Sequence, residues 1–239
     1  SDISTNIVPS GTVYEWSVLP DDGPGTSQGD RELPADDAVA VIEQTDLEVG
    51  DTPVVLTYTV TPFAPRDNGG HCKGDSFNIV VQVNPKPVIP DQTAVICSGD
   101  DFIISPNNNS TNTIVPANTT YEWDVSDNNN IEGASDSDPV PPGETGQTEI
   151  SQELTNISEI VQYVTYTVTP TSGASGACPG DPFDIIVQVD PEPIIDDIIL
   201  DPICSGGGFT VGSGEGFTFD LSDISTNIVP SGTVYEWSV

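Results

Sequence analysis

Apolar and polar residues alternate in short runs along most of the chain. In VYEWSV, Tyr14, Trp16 and Val18 fall on one face and Glu15 and Ser17 on the other. TYTVT sets Tyr58 and Val60 against three threonines, and FNIVVQV aligns Phe77, Ile79, Val81 and Val83. A period of two means extended strands with one buried face. Turn formers separate the runs, among them DDGPG at Asp21 to Gly25 and DNGG at Asp67 to Gly70. No stretch holds a helical period over three turns, so the pattern predicts an all-β chain.

The runs recur. TVYEWSV at Thr12 to Val18 returns as TTYEWDV at Thr119 to Val125, and TYTVTP at Thr57 to Pro62 returns at Thr165 to Pro170. CKGDSFNIVVQVNPKP at Cys72 to Pro87 returns as CPGDPFDIIVQVDPEP at Cys178 to Pro193, and ICSGDDF at Ile96 to Phe102 as ICSGGGF at Ile203 to Phe209. Offsets of 106 to 108 residues make each unit one small antiparallel sandwich of roughly seven strands. A second repeat lies above the first. Ser1 to Val18 recurs letter for letter at Ser222 to Val239, a period of 221 residues. Strand chemistry constrains residue class and leaves identity free, so such identity implies a tandem array.

The order of blocks sets the domain frame: a domain starts near ICSG and ends at the strand before P-x-P. Pro85 and Pro87, like Pro191 and Pro193, cannot donate ladder hydrogen bonds and read as stiff connectors. By this frame residues 1–87 are a domain lacking its first strands, 88–193 a complete domain, and 194–239 the opening strands of the next. The modules are expected to be strung end to end.

Charge narrows the partners. Against 38 Asp and Glu stand 4 Lys and Arg, a net charge of -34. This surface repels nucleic acid and anionic headgroups and attracts cations. No apolar run reaches the roughly 18 residues that a membrane-spanning helix needs, so no membrane insertion is expected. Calcium, which takes six to eight oxygens, is the one cofactor worth considering. Asp190, Asp196, Asp197 and Asp201 cluster around a domain joint, and Asp124 and Asp127 share a loop. Neither group matches a DxDxDG loop.

Four cysteines allow three pairings. Joining neighbours, Cys72 to Cys97, requires crossing the seven-residue strand Phe77 to Val83, about 23 Å at strand rise, whereas a disulfide needs Cα atoms within about 7 Å. In an immunoglobulin-like sandwich the first strand begins beside the loop that precedes the last strand. That geometry predicts an intradomain disulfide between Cys97 and Cys178, and partners for Cys72 and Cys204 outside the window or across a subunit joint. Disulfides imply an oxidising, extracellular setting.

Catalytic chemistry is sparse. His71 has Ala177 as its counterpart, and Lys73 and Lys86 correspond to Pro179 and Glu192, so no reaction can be shared by both domains through them. Phosphate loops, GxSxG elbows and HExxH are absent. Trp16 and Trp123, mid-strand, are expected in the core with Tyr58 and Tyr166. Sequons at Asn108, Asn109, Asn118 and Asn156 matter only where the source glycosylates them.

Together, ICSG, the Y-x-W strand, VTYTVTP, GxCxGDxF and the P-x-P connector resemble the PKD-like, immunoglobulin-like repeats of giant surface proteins in Bacteroidota, including gliding-motility adhesins exported by the type 9 secretion system. YEWSV and YEWDV depart from the usual Y-x-W-D-F-G-D strand. The resemblance implies a non-catalytic extracellular fibre or adhesin shaft, whose partners are further copies of itself and whose tip ligand is open. A glycan- or protein-binding module and a donor-strand-polymerised filament subunit are the alternatives.

Overall fold

The computed structural model describes residues 6–19, 39–45, 47–67, 69–109, 111–126, 128–138, 146–212, 219–221, 224 and 226–237. The expected turn at Asp21 to Gly25 lies outside the described residues. Among the described residues, strands account for all the regular structure except one 3₁₀ position at Leu221. Contacts divide the chain into two compact units, one of residues 1–88, 108–119 and 171–180, the other of residues 89–107, 120–170 and 181–239.

In the first unit β1 (Val13–Leu19) pairs antiparallel with β2 (Val54–Pro65), Trp16 opposite Val60. The other edge of β2 pairs with β4 (Phe77–Val83) and, at its end, with short β3 (His71–Lys73). Alternation puts Trp16, Val18, Leu56, Tyr58 and Val60 on one face, where they form a buried cluster joined by Ile42 and Leu47.

The second unit holds a two-layer sandwich. One layer orders β5 (Gln92–Cys97), β11 (Phe183–Asp190), β10 (Gln162–Thr171) and β7 (Thr120–Val125); the other orders β6 (Asp100–Ile104), β9 (Ile150–Asn156) and β8 (Ile131–Glu132). β5 runs parallel to β11, and β10 antiparallel to it. The layers meet through Phe102 and Tyr166, whose ring centroids lie 5.0 Å apart at a tilt of 53°, a favourable aromatic geometry. Tyr121, Trp123, Ile150, Leu154, Ile185, Val187 and Val189 complete this core. Near the chain end, β12 (Val211–Gly212) and β13 (Phe219–Asp220) form a short parallel pair.

One turn appears three times. Thr12, Thr119 and Thr233 each donate a hydroxyl to the carbonyl three residues earlier, of Pro9, Pro116 and Pro230, at 2.7 Å. The residue before each threonine has positive φ: Gly11 at 80°, Asn118 at 58°, Gly232 at 87°. Glycine and asparagine are the residues that tolerate that backbone.

Candidate functional site

The repeated ICSG block is where the chain changes layers. β5 ends at Cys97 and β6 begins at Asp100, in opposite sheets. Gly99, at φ 83°, makes the corner; its counterpart Gly206, in a turn, has a φ of 89°. Ser98 is buried at the corner: its amide donates to the Asp190 carbonyl at 2.9 Å, and the Gly99 amide to that of Leu154 at 2.8 Å. Asn156, fully buried, secures the far side. Its side-chain amide donates to the carbonyls of Ile160 at 2.8 Å and Val189 at 3.0 Å, and its Oδ1 accepts from the amide and hydroxyl of Ser158. Asn156 opens an Asn-x-Ser sequon. The fold makes it a cross-sheet fastener with no nitrogen left for a glycan.

This corner corrects the expected disulfide. Cys97 closes β5 and lies opposite Asp190, the last residue of β11, while Cys178 precedes Phe183, the first residue of β11. The length of β11, about 23 Å at strand rise, lies between Asp190 and Phe183. The expected pairing needs Cys97 at the beginning of the first strand, but the strand starts at Gln92 and ends at Cys97. Within this chain no cysteine is bonded to another: Cys72, Cys97 and Cys204 are exposed and Cys178 half-buried. Cys72 sits in β3 opposite Ala64, and its Sγ accepts from Arg66 Nε at 3.1 Å. Cys204 lies in a turn, its carbonyl accepting from the Gly207 amide at 2.8 Å.

The acidic candidates do not converge. Asp190 Oδ1 accepts from the Gln188 side chain at 2.7 Å, whereas Asp196 Oδ2 accepts from Thr226 Oγ1 at 2.5 Å. Among the described residues, which include Asp124, Asp190, Asp196, Asp197 and Asp201, no three Asp, Glu, His or Cys side chains gather as a metal site needs. Asp127 lies outside the described residues. His71 is an exposed strand residue opposite Pro65.

The four aromatic residues assigned to the core are buried: Trp16, Tyr58, Trp123 and Tyr166. Trp123 Nε1 donates to the Ser135 carbonyl at 3.1 Å, which also accepts from Gln152 Nε2 at 2.8 Å. Gln152 Oε1 in turn accepts from the Tyr166 hydroxyl at 2.8 Å. The tips of Trp123 and Tyr166 are thus satisfied inside the sandwich, and neither of these two rings is presented for stacking on a sugar.

Family comparison agrees with this architecture. The model of the PKD-like domain matches residues 1–87 and again residues 94–193. The chain belongs to the PKD-like domain family. No curated protein matches it. Among the described residues no helix of this PKD-like chain is long and apolar enough to cross a membrane, which leaves β-barrel spans unaddressed.

Proposed function

We propose that this PKD-like chain is a stretch of the shaft of an extracellular fibre or adhesin, a non-catalytic spacer whose partners are further copies of itself. One observation carries the reading: the two modules bury the same strand to different depths. Phe183 at the head of β11 is 3% exposed, while its counterpart Phe77 in β4 is 44% exposed. β11 has β5 along its edge and the β6 layer over its face; among the described residues β4 has only β2. The sequence that would fill the gap exists in this chain. The ICSGGGF block at Ile203 to Phe209 is followed by the repeat of Ser1 to Val18 at Ser222 to Val239. An upstream copy of that segment delivers the opening strands that β1, β2 and β4 lack. An open groove of about 740 Å³, lined by Ile7, Tyr14, Pro62, Cys72 and Phe77 among others, lies along this incomplete side.

The open edge also suits a strand donated by a separate subunit. Denaturing, reducing electrophoresis of the native protein separates the two. Chains far longer than 25.1 kDa, with an axial repeat of two modules in micrographs, uphold the shaft; discrete chains near 25.1 kDa overturn it in favour of donated strands.

A further inference from the structure

The cysteines fall into two positional kinds. Cys97 and Cys204 stand at ICSG corners, while Cys72 and Cys178 stand in G-x-C-x-G-D segments ahead of the last strand of a module. In the complete sandwich the corner cysteine, Cys97, lies opposite Asp190. The counterpart of Asp190 in the first module is Asn84, since NPKP and DPEP align. When the upstream copy of Ile203 to Phe209 completes the first module, its corner cysteine falls opposite Asn84.

What else reaches Asn84 is the loop that carries Cys178. The Asn84 side-chain amide donates to the Ser175 carbonyl, and a Cβ on Gly176 would sit 3.3 Å from Asn84 Nδ2. That loop is tightly wound. The Ala177 amide donates to the Ala174 carbonyl at 3.0 Å, and Cys178 is tied back by the Ser172 amide, also at 3.0 Å. Gly176 and Ala177 both have positive φ, 100° and 44°. The loop and Asn84 belong to one compact unit. A corner cysteine beside Asn84 is therefore one side chain away from the loop of the following module.

We propose that disulfides join successive modules, each linking the corner cysteine of one to the loop cysteine of the next. Cys178 pairs with the copy of Cys204 one repeat upstream, and Cys97 with the copy of Cys72 one repeat downstream. The inference rests on the tandem-array reading. Corner and loop cysteines lie at opposite ends of a module, so every junction receives one of each. No thiol is left over within the array. Each bond joins two sulfurs; their two protons and two electrons pass to a disulfide oxidant, an oxidised dithiol protein in its native setting or oxidised glutathione in vitro, which is reduced to two thiols.

The test is peptide mapping of the native protein after alkylation of free thiols, without reduction. The expected linked pairs are HCKGDSF with ICSGDDF and ACPGDPF with ICSGGGF. Because repeats are near-identical, the 239-residue chain oxidised alone at high dilution is the control. It should retain four titratable thiols, since every partner lies in another repeat. A Cys72–Cys97 or Cys178–Cys204 link formed within that isolated chain would establish pairing of sequence neighbours and overturn the proposal. A Cys97–Cys178 peptide, or free thiols throughout long native chains, would overturn it equally. The expected pairs found between separate chains near 25.1 kDa would uphold the linkage while overturning the array.

Discussion

The Ser98 hydroxyl accepts from the Asn156 amide at 2.9 Å and donates to the Asn156 carbonyl at 3.3 Å, closing a two-way bridge between the layer-switching corner and β9. Both residues are buried, so neither can recover lost hydrogen bonds from water. Asn156→Ala should destabilise the fold by about 2–4 kcal/mol, because it removes the side-chain donors to the Ile160 and Val189 carbonyls and the acceptor of the Ser158 amide. Urea unfolding with an unchanged m-value checks this. A loss below roughly 0.5 kcal/mol would show that the side-chain bonds of Asn156 are incidental.

The unequal phenylalanines give a direct measure of incompleteness. Phe183→Ala should cost about 3–4 kcal/mol, whereas Phe77→Ala in this chain should cost under about 1.5 kcal/mol, as its ring is half in solvent. In a longer chain carrying the preceding repeat, the Phe77 variant should become as costly as the Phe183 variant. Equal costs in the 239-residue chain would contradict the open edge.

Alkali should weaken the fold through its buried phenols. Burial pushes Tyr121 up to about 12 from an ordinary 10.0, and raises Tyr166 as well. The unfolded chain releases these protons near pH 10 while the folded chain still holds them. The contribution of these phenols is thus constant below about pH 10 and declines as pH rises toward about 12. Tyr121→Phe should make that decline shallower in thermal melts collected across the interval. Parallel curves for the variant and the parent would assign the alkaline loss to other groups.

The recurring proline–threonine turn offers a backbone test. Asn118 fills the positive-φ position that Gly11 and Gly232 fill elsewhere. Asn118→Gly should change stability by only a few tenths of a kcal/mol, while Asn118→Val should cost about 1–2 kcal/mol, since a β-branched side chain clashes there. Melting temperatures of the pair decide it: comparable losses for both would mean that the side chain of Asn118, and not its backbone, matters.

Much of this was legible in the sequence. Alternation in VYEWSV, TYTVT and FNIVVQV located β1, β2 and β4, because a half-buried strand imposes its period on the side chains it carries. The same pattern put Trp16, Trp123, Tyr58 and Tyr166 inward. What escaped was relational. Phe77 and Phe183 stand in the same local pattern, and only their neighbours distinguish them. Cys97 was placed at the wrong end of its strand because ICSG reads as an opening, while Gly99 and the buried Ser98 make it a closing corner. Asn156 carries a sequon and yet serves the interior, a role set by the carbonyls of β11 and the loop after β9.

The parallel pairing of β5 with β11 governs how the complete module bears tension. Six residue pairs, from Gln92 with Ile185 to Cys97 with Asp190, hold its first strand against its last. A pull applied where the chain enters and where it leaves drags those strands lengthwise past each other. The bridging hydrogen bonds then share the load and must fail together, where a hairpin peeled from one end would surrender them singly. Rupture under force is set by the unfolding barrier, and this arrangement raises that barrier for a pull between the two ends of the sandwich.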